Sequence, residues 1–547
     1  MKRWMWSMVA CALIGTGGAA GCGKTPEPGQ VDGGAPDVTD AGGGEGSDGG
    51  ETPEPFQPQI VWKPCNLFTQ GPASPAECAS FLLPLRWDEP KGRTFPYFLK
   101  KKPATKPRRG SLWLLDGGPG FAGISLEGLA YAVGTIRLAD FDIYIPSHRG
   151  TGDSSRLGCA VQEAEESPGG TDILDEEWDA CLDAVLAQWG ADGLAAFNVT
   201  EAANDLAGLI EATRQPGEEV FVYGASYGTY LANRYLQLHP AQATGVVMDS
   251  VCPGEGCYLA EQDVLYDEVA REFLARCEAD AWCGAKVGQG LYARYADAVR
   301  AQEEGTHCSA LEAAGIGKHE LRVAMGLLLN QRHLRQFVPA IAHRFVRCNP
   351  ADVAALEQLV SVLFGDGGGG AGPDPVMQAH SWVLGENIVL SEMWPHPAPS
   401  TSVLQATADA ALISLGTSLH SISLFDRWPR YARDAHADRF ASTQVPMLMM
   451  NGTLDPATAP WLAAKVKAQF AAPNQHYIEL PDVPHGVLNN SPMTTPNKQC
   501  GMELFLQFMA DPRAELDLAC IDQMLPLDLQ GDPGLSQQLF GTADLYD

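Results

Sequence analysis

The segment 220–238 constrains the fold more than any other part of the chain. Apolar residues at 220–223 run directly into Gly-Ala-Ser-Tyr-Gly around Ser226, and a helical pattern continues to Leu238. A serine on such a sharp strand-to-helix turn adopts a strained backbone angle, and the flanking glycines let the strand and helix approach closely. The turn exposes the hydroxyl above a sheet, beside a helix N-terminus that favours developing negative charge. The segment therefore predicts that Ser226 is a nucleophile.

Short apolar runs bounded by turn residues recur along the chain and are typical of buried strands. Amphipathic segments with a helical period lie between several of them, such as 202–214 and 227–238. This alternation predicts an α/β architecture, with a mostly parallel central sheet and helices on its faces. The predicted strands are 111–115, 141–146, 219–223, 245–248, 445–450 and 477–480.

The strand pattern stops after the fourth of these runs and resumes only at the fifth, and the interval between them has a helical pattern. We therefore predict a core in two parts, at 59–253 and 442–547, with an inserted helical cap at 254–441. A run of glycines at 365–372 interrupts the cap and predicts a flexible surface loop.

The N-terminus has the pattern of an export signal. Basic residues precede a short apolar stretch and small residues, so residues 1–21 are predicted to be a signal peptide rather than a membrane span. Ala-Ala-Gly directly before Cys22 resembles a bacterial lipoprotein signal, in which the cysteine is acylated; a plain cleaved signal is the alternative. Residues 22–58 contain almost nothing to bury and predict a disordered tether. We expect an exported protein, either held on a membrane through Cys22 in the cell envelope or secreted.

Charge and cysteine content argue against a nucleic-acid-binding protein and in favour of a disulfide-bonded one. The chain has 37 Lys and Arg against 67 Asp and Glu, a formal charge of −30, which argues against a nucleic-acid partner. Of its 14 cysteines, 12 remain when Cys11 and Cys22 are set aside, and an even number in an exported chain indicates disulfides. No CxxC or HExxH motif indicates a metal site. Sequence does not fix the connectivity, but proximity suggests Cys65 with Cys78, Cys159 with Cys181, Cys277 with Cys283, and Cys500 with Cys520.

A serine hydroxyl is a weak nucleophile at neutral pH, so it needs a base and a third group that fixes the tautomer of that base. Asp455 follows the predicted strand 445–450, and His485 follows the strand 477–480, so both lie on loops at strand ends. The chain order of serine, acid and histidine, together with the G-x-S-x-G turn, is the pattern of the α/β-hydrolase fold. We predict His485 as general base and Asp455 as the acid that orients it.

Three residues compete with these assignments. Asp249 follows the strand 245–248 and is the alternative acid, although a turn or cap role would explain it equally well. His476 and His148 are alternative bases, but His476 stands at the start of a strand rather than beyond its end. Loop histidines such as His148 are commonly solvated or hydrogen-bonded bystanders.

The loop after the strand 111–115 reads Asp-Gly-Gly-Pro-Gly, from Asp116 to Gly120. A tetrahedral intermediate needs two N–H donors, and in this fold one comes from such a loop and one from the residue after the nucleophile. We therefore predict an oxyanion hole formed by Gly118 and Tyr227. A tight strand-to-helix connection is the plainer explanation of the glycines.

Taken together, these motifs resemble the α/β-hydrolase family of proline iminopeptidases and bacterial tripeptidyl aminopeptidases, serine exopeptidases that cleave from a peptide's N-terminus. The resemblance covers about residues 62–520, and the cysteines of the four suggested pairs resemble those of the secreted tripeptidyl branch. Two positions depart from the family: Asp116 replaces a common His or Pro, and Ser147 replaces a common Asp. The matching stretches are 117–120, 149–152 with Ser154, 224–229, 451–455 and 484–486.

The resemblance implies an acyl-enzyme peptidase that acts on peptide substrates and requires no metal or organic cofactor. An exopeptidase must recognise a free N-terminal ammonium, for which a carboxylate is the economical partner. The family commonly places a glutamate after an apolar run, which implies Glu392 here as the substrate-binding residue, with Glu386 as the alternative. An ordinary surface role would explain either glutamate.

Two other functions share the same motifs. A carboxylesterase would use the same triad and oxyanion loop, and a catalytically silent lipoprotein that binds peptides is a third hypothesis. Epoxide hydrolases and haloalkane dehalogenases would carry aspartate at the turn, so Ser226 excludes their chemistry.

Overall fold

The computed structural model of the protein describes residues 56–364 and 374–547. The predicted signal peptide, the Cys22 acylation site, all but the end of the tether, and the glycine-rich loop at 365–372 lie outside these residues. Within the two described ranges, no helix combines the length and the apolar character needed to cross a membrane.

A nine-stranded sheet lies at the centre of the described chain, in the order β1-β2-β3-β5-β4-β6-β7-β8-β9. The first three strands and the β3–β5 pair are antiparallel, whereas all pairs from β5 to β9 are parallel. The predicted α/β-hydrolase fold class, with its mostly parallel sheet, is therefore confirmed. The strands are β1 Lys63–Asn66, β2 Pro75–Pro84, β3 Thr94–Lys102, β4 Gly110–Leu115, β5 Phe141–Pro146, β6 Glu219–Ala225, β7 Gly245–Asp249, β8 Met447–Gly452 and β9 Gln475–Leu480.

Helices cover both faces of this sheet and form the whole regular structure between β7 and β8 in the described residues. The α-helices are α1 Glu127–Ile136, α2 Trp178–Ala195, α3 Val199–Thr213, α4 Tyr227–Leu238, α5 Gln262–Ala279, α6 Ala281–Val287, α7 Leu291–Glu303, α8 Ser309–Ala313, α9 Lys318–Leu329, α10 Phe337–Arg347, α11 Pro350–Phe364, α12 Pro375–Ala379, α13 Trp382–Ser391, α14 Thr401–Ala410, α15 Thr417–Leu424, α16 Pro460–Ala463, α17 Val466–Gln469, α18 Val487–Asn490, α19 Cys500–Ala510 and α20 Pro533–Phe540.

The central strands are apolar because both of their faces are covered. Every residue of β4, β5, β7 and β8 is buried. Helices α2, α3 and α4 pack on one face of the sheet, and α1 and α19 pack on the other. Parallel sheets buried on both faces give such unbroken apolar runs, which explains why the sequence predicted these strands.

The helices between β7 and β8 pack in two places. Helices α5 to α11 share a hydrophobic cluster of their own, which also takes in α20 and Tyr546 near the end of the chain. Helices α13, α14 and α15 instead pack into the cluster that covers the sheet. The boundaries drawn for the cap at 254–441 and for the second core segment at 442–547 stay predictions.

Six disulfides are present in the described residues. They include the four suggested pairs, Cys65–Cys78, Cys159–Cys181, Cys277–Cys283 and Cys500–Cys520. Two further bridges join Cys252 to Cys257 and Cys308 to Cys348. Bridges of this number indicate that the protein matures in an oxidising compartment outside the cytosol.

A buried ion pair fixes the loop that follows β5. The Arg149 guanidinium donates from Nε and Nη2 to the two carboxylate oxygens of Asp205 on α3, at 2.7 and 2.6 Å. Its Nη1 donates to the carbonyl oxygens of Leu85 and Ala196, both at 2.8 Å. The bidentate geometry and the carbonyl contacts offset the cost of burying the two charges.

Substituting Asp205→Asn is expected to lower the free energy of unfolding by about 3–5 kcal/mol, because it leaves Arg149 buried without a counter-charge. Chemical denaturation of the purified protein measures this. The control is Asp183→Asn on the exposed side of α2, which is expected to change stability by less than about 0.5 kcal/mol. Equal effects of the two substitutions would contradict the role given to the ion pair.

Candidate active site

The turn that carries Ser226 has the strained geometry that the sequence predicted. Ser226 separates β6 from α4 and has φ 55° and ψ −124°, which is unfavourable for a residue other than glycine. A Cβ on Gly224 would lie 2.3 Å from the Gly228 carbonyl oxygen, and a Cβ on Gly228 would lie 2.4 Å from that of Leu115. Only glycine fits at both positions, and the half-buried Ser226 side chain is held at the end of the sheet.

The end of β7 connects this turn to the segment of His485. The Ser226 N–H donates to the carbonyl oxygen of Asp249, the last residue of β7, at 2.9 Å. The next residue, Ser250, accepts the N–H of Gly486 on its hydroxyl oxygen at 2.7 Å. Two consecutive residues of one strand end therefore hold the predicted nucleophile and the neighbour of the predicted base.

The Asp249 carboxylate strengthens this connection. It accepts the backbone N–H groups of Val487 and Leu488 at 2.6 and 3.1 Å, and the Tyr223 hydroxyl donates to it at 3.0 Å. Within the described residues it makes no hydrogen bond to the His485 ring. Asp249, the alternative acid, is thus placed as an anchor for the backbone that follows His485.

Asp455 lies against His485 as the triad pattern requires. The Nδ1 atom of His485 is 2.9 and 3.0 Å from the two carboxylate oxygens of Asp455, which is fully buried. The same carboxylate accepts the N–H groups of Ala457 and Thr458, at 2.9 and 2.8 Å, and the Thr458 hydroxyl at 2.8 Å. Because the carboxylate only accepts, Nδ1 carries the proton and Nε2 is left free to receive one.

The surroundings of His485 adjust its proton affinity. Burial by itself lowers the pKa of the imidazole, because it disfavours the charged form. The charge and hydrogen bond of Asp455 act in the opposite direction, and the charge of Asp249 adds to them. The net effect raises the pKa of His485 above its ordinary value.

The two alternative histidines are placed differently. His148 Nδ1 lies 2.8 Å from the Arg149 carbonyl oxygen, so it donates there, and Nε2 accepts the Tyr227 hydroxyl at 3.2 Å. Burial lowers the pKa of His148 to about 4, which keeps the ring neutral. His476 lies within β9, paired with Leu448 of β8 rather than on a loop beyond the strand.

The predicted oxyanion loop packs against the nucleophile turn. A Cβ on Gly117 would lie 3.0 Å from the Ser226 Cβ, and Gly118 and Gly120 have φ near +109° and +108°. These angles require glycine. In the described part of the chain, neither the Gly118 nor the Tyr227 N–H donates to another protein group. The oxyanion role of these two N–H groups stays a prediction.

Glu392, the predicted ammonium-binding residue, lies in a buried network. Its carboxylate pairs with Arg234 of α4 at 2.7 Å and accepts the hydroxyls of Tyr431 and Tyr230, at 2.6 and 3.4 Å. The N–H of Val199 also approaches it at 3.4 Å. The substrate-binding role stays a prediction, and in this arrangement both oxygens already have partners, Oε2 on α4 and Oε1 at Tyr431 and Val199.

Glu386, the alternative, keeps an acceptor free. Its Oε1 accepts the Ser421 hydroxyl at 3.0 Å, whereas its buried Oε2 has no hydrogen-bond partner within the described residues. Burial raises the pKa of this carboxyl group, because it disfavours the charged form. The preceding residue, Gly385, packs directly on the oxyanion loop, where a Cβ would lie 3.0 Å from the Pro119 carbonyl oxygen.

Sequence reasoning missed the residues that hold the site together. Asp249 was weighed as an acid or as a turn or cap residue, whereas its carboxylate anchors the backbone that follows His485. The hydrogen bond between His148 and Tyr227 joins residues 79 positions apart, so no local sequence pattern predicts it.

Comparisons with known proteins agree with this architecture. A family profile described as the alpha/beta hydrolase fold matches residues 112–276. Serine protease Hip1 of Mycobacterium tuberculosis is 26% identical over 243 residues, which cover 41% of this chain and 46% of that protein. Tripeptidyl aminopeptidase of Streptomyces lividans is 29% identical over 210 residues, which cover 35% of this chain and 38% of that protein. The matched stretch thus spans less than half the length of each of these relatives.

Among solved structures, the chain is similar to proline iminopeptidase of Mycobacterium smegmatis, with a TM-score of 0.34 and 15% identity, over 79% of this chain and 98% of that one. The family match and the sheet order together show the α/β-hydrolase fold, and the chain is similar in sequence to proteins named as a serine protease and a tripeptidyl aminopeptidase.

Proposed function

We propose that the protein is an exported serine aminopeptidase that releases short peptides or single residues from peptide N-termini through an acyl-enzyme. The observation that carries the proposal is the Asp455–His485 hydrogen bond, tied through Asp249 and Ser250 to the strained turn of Ser226. This arrangement supplies a nucleophile, a base and an orienting acid in the order that acyl transfer requires.

In the proposed reaction, Ser226 attacks the scissile carbonyl carbon while His485 Nε2 takes the hydroxyl proton. The oxyanion that forms accepts the N–H groups of Gly118 and Tyr227. The imidazolium is stabilised by Asp455 and donates its proton to the leaving amine, whose departure leaves the acyl-enzyme. A water molecule then attacks the acyl carbon while His485 takes its proton. The proton returns to the Ser226 oxygen as the ester bond breaks, and the N-terminal fragment is released.

Selection for a free N-terminus is the finer part of the proposal. The peptidase names of the relatives support a peptide substrate. Of the two glutamates considered, Glu386 has the unpartnered carboxylate oxygen, and its helix α13 packs on the oxyanion loop. His420 Nε2 lies 4.0 Å from Oε1 of Glu386, and a substrate ammonium would add a charge-assisted partner at the unpartnered Oε2. We therefore assign ammonium recognition to Glu386 and a packing role to Glu392.

The cellular location of the protein is also part of the proposal. The six disulfides support export, and the sequence before Cys22 supports acylation of that cysteine after signal cleavage. We propose that the catalytic part is tethered to a cell-envelope membrane by residues 22–58.

A comparison of peptide and ester substrates tests the function. We expect the wild type to cleave fluorogenic peptides with a free N-terminus about 10- to 100-fold better than their acetylated forms, since a charge-assisted hydrogen bond contributes about 1.5–3 kcal/mol. Ser226→Ala is expected to abolish turnover. Turnover of p-nitrophenyl esters alone would instead establish a carboxylesterase, and no Ser226-dependent activity would favour a binding protein.

The two glutamates are distinguished by matched substitutions. Glu386→Gln is expected to raise KM for free peptides about 10- to 100-fold and to leave ester turnover nearly unchanged, because only the ammonium contact is lost. Glu392→Gln is expected to lower the free energy of unfolding by about 3 kcal/mol, because the buried Arg234 then keeps only the longer ion pair with Asp434, at 3.3 Å. Steady-state kinetics and chemical denaturation measure the two effects. A selective loss of free-peptide binding in Glu392→Gln would return the ammonium site to Glu392.

The pH profile tests the roles of His485 and Asp455. His485 acts as a base only when neutral, so kcat/KM is expected to fall as the pH drops through its raised pKa. Asp455→Asn removes the charge that raises this pKa, so the acid limb is expected to move to lower pH. The maximal kcat is expected to fall about 10³- to 10⁴-fold, because the imidazole loses its oriented tautomer. An unmoved acid limb would assign the titration to another group.

A further inference from the structure

The side chain of Asp116 ties together the two ends of the oxyanion loop. Its carboxylate accepts the N–H of Gly117 at 2.7 Å and the hydroxyl of Ser125, which lies in a short 3-10 turn at Gly123–Leu126. The residues between these two contacts form the loop that carries the Gly118 donor. Asp116 is also the loop position at which the sequence departs from the commoner His or Pro.

This loop needs an external tie because its own sequence gives it little rigidity. Gly117, Gly118 and Gly120 lose much conformational freedom when they are ordered, and the φ values of the last two are available only to glycine. The remaining backbone contacts of the loop include the Ser381 N–H, which donates to the Gly120 carbonyl oxygen at 2.9 Å. That contact holds the far side of the loop, and Asp116 holds the side next to Ser226.

Gly117 lies beside Ser226, so its hydrogen bond to Asp116 bears on the oxyanion contact of the proposed reaction. A Cβ there would lie 3.0 Å from the Ser226 Cβ, so Gly117 packs directly on the nucleophile turn. Its neighbour Gly118 presents the N–H predicted to face the oxyanion. A small displacement of Gly117 would move that donor out of hydrogen-bonding distance, and a missing oxyanion donor typically costs about 10²- to 10³-fold in kcat.

The carboxyl group of Asp116 is buried, and a specific pair of hydrogen bonds explains why a carboxyl group is kept there. Burial raises the pKa of Asp116 to about 6, and the bonds from Ser125 and Gly117 oppose that rise only in part. Within the described residues, no Lys, Arg or His forms an ion pair with it. A buried carboxyl group without a counter-ion is costly, so its retention here is explained by the two loop contacts that it makes.

We propose that Asp116 is a positioning residue of the oxyanion hole, whose carboxyl oxygen holds the Gly117 N–H so that the Gly118 N–H faces the tetrahedral intermediate. The role requires a hydrogen-bond acceptor rather than a negative charge. The inference rests on the proposed acyl-enzyme chemistry at Ser226, but it is independent of whether the substrate is a peptide.

A pair of substitutions separates the acceptor from the charge. Asp116→Ala removes the tie, whereas Asp116→Asn keeps a carbonyl oxygen that can accept the Gly117 N–H and an amide that can contact Ser125. The p-nitrophenolate burst from a p-nitrophenyl ester gives the acylation rate constant and the ground-state dissociation constant separately. We expect Asp116→Ala to lower the acylation rate constant about 10- to 100-fold with little change in ground-state binding, and Asp116→Asn to restore most of the rate.

Binding of a boronic acid, whose trigonal boron becomes tetrahedral when the Ser226 oxygen adds to it, provides a readout that a purely structural role would not move. Its affinity for Asp116→Ala is expected to fall by about the same factor as the acylation rate constant, because both depend on the oxyanion contacts. Ser125→Ala, which removes only the far end of the tie, is expected to show a smaller loss of the same kind and provides the measurement if Asp116→Ala does not fold.

The outcomes separate this inference from the proposed function. If the wild type is acylated and Asp116→Ala has the same acylation rate constant, only the positioning role is overturned. The same holds if Asp116→Asn loses as much of the rate as Asp116→Ala, which would show that the charge matters. A rise in the rate of Asp116→Asn would likewise overturn it, by showing that the carboxylate opposes the oxyanion. If the wild type has no Ser226-dependent turnover of peptide or ester, the proposed function fails, and this inference fails with it.

Discussion

The candidate active site depends on Asp249, a buried residue at the end of the central strand β7. Asp249 accepts two backbone N–H groups at the start of α18 and the hydroxyl of Tyr223, while its own carbonyl oxygen accepts the N–H of Ser226. A buried carboxylate is stable only when its hydrogen-bonding capacity is filled, and here the groups that fill it come from the segment after His485 and from Tyr223 of β6. Asp249 therefore links two loops that are far apart in sequence, one through its carboxylate and the other through its backbone carbonyl oxygen.

The helical segment between β7 and β8 is fastened to the same machinery at separate points. The Ser381 N–H holds the oxyanion loop through the Gly120 carbonyl oxygen, and Glu392 pairs with Arg234 on the nucleophile helix α4. Arg332 donates to the carbonyl oxygen of Asp482, three residues before His485, at 2.8 Å. Two of these contacts are made to backbone carbonyls, which persist whatever side chain the loop carries. The segment is therefore part of the scaffold that positions the loops of the candidate site.

Sequence predicted the elements whose signal is local and failed where the signal is a contact between distant residues. The six apolar runs became β4 to β9 because strands buried on both faces must be continuously apolar, and the glycines around Ser226 were required by backbone contacts closer than 2.5 Å. The strands β1, β2 and β3 were not predicted. Lys100 and Lys101 in β3 suggest a solvated loop, yet both are buried, in ion pairs with Glu127 and Glu77. The Arg234–Glu392 pair joins residues 158 positions apart, so nothing local indicated it, and Glu392 was predicted as a substrate-binding carboxylate with an ordinary surface role as the alternative.

The connectivity of the disulfides bears on how such a chain can be made. Within the described residues each bridge joins one cysteine to the next along the sequence, with separations of 5 to 40 residues. An oxidase that simply couples cysteines in the order in which they emerge from a translocation channel would produce the native set, without later reshuffling. No bridge between the described residues crosses from one side of the long helical insertion to the other. The two halves of the sheet are consequently held together by noncovalent contacts and the connecting chain, and the last strands can dock after every earlier crosslink has closed.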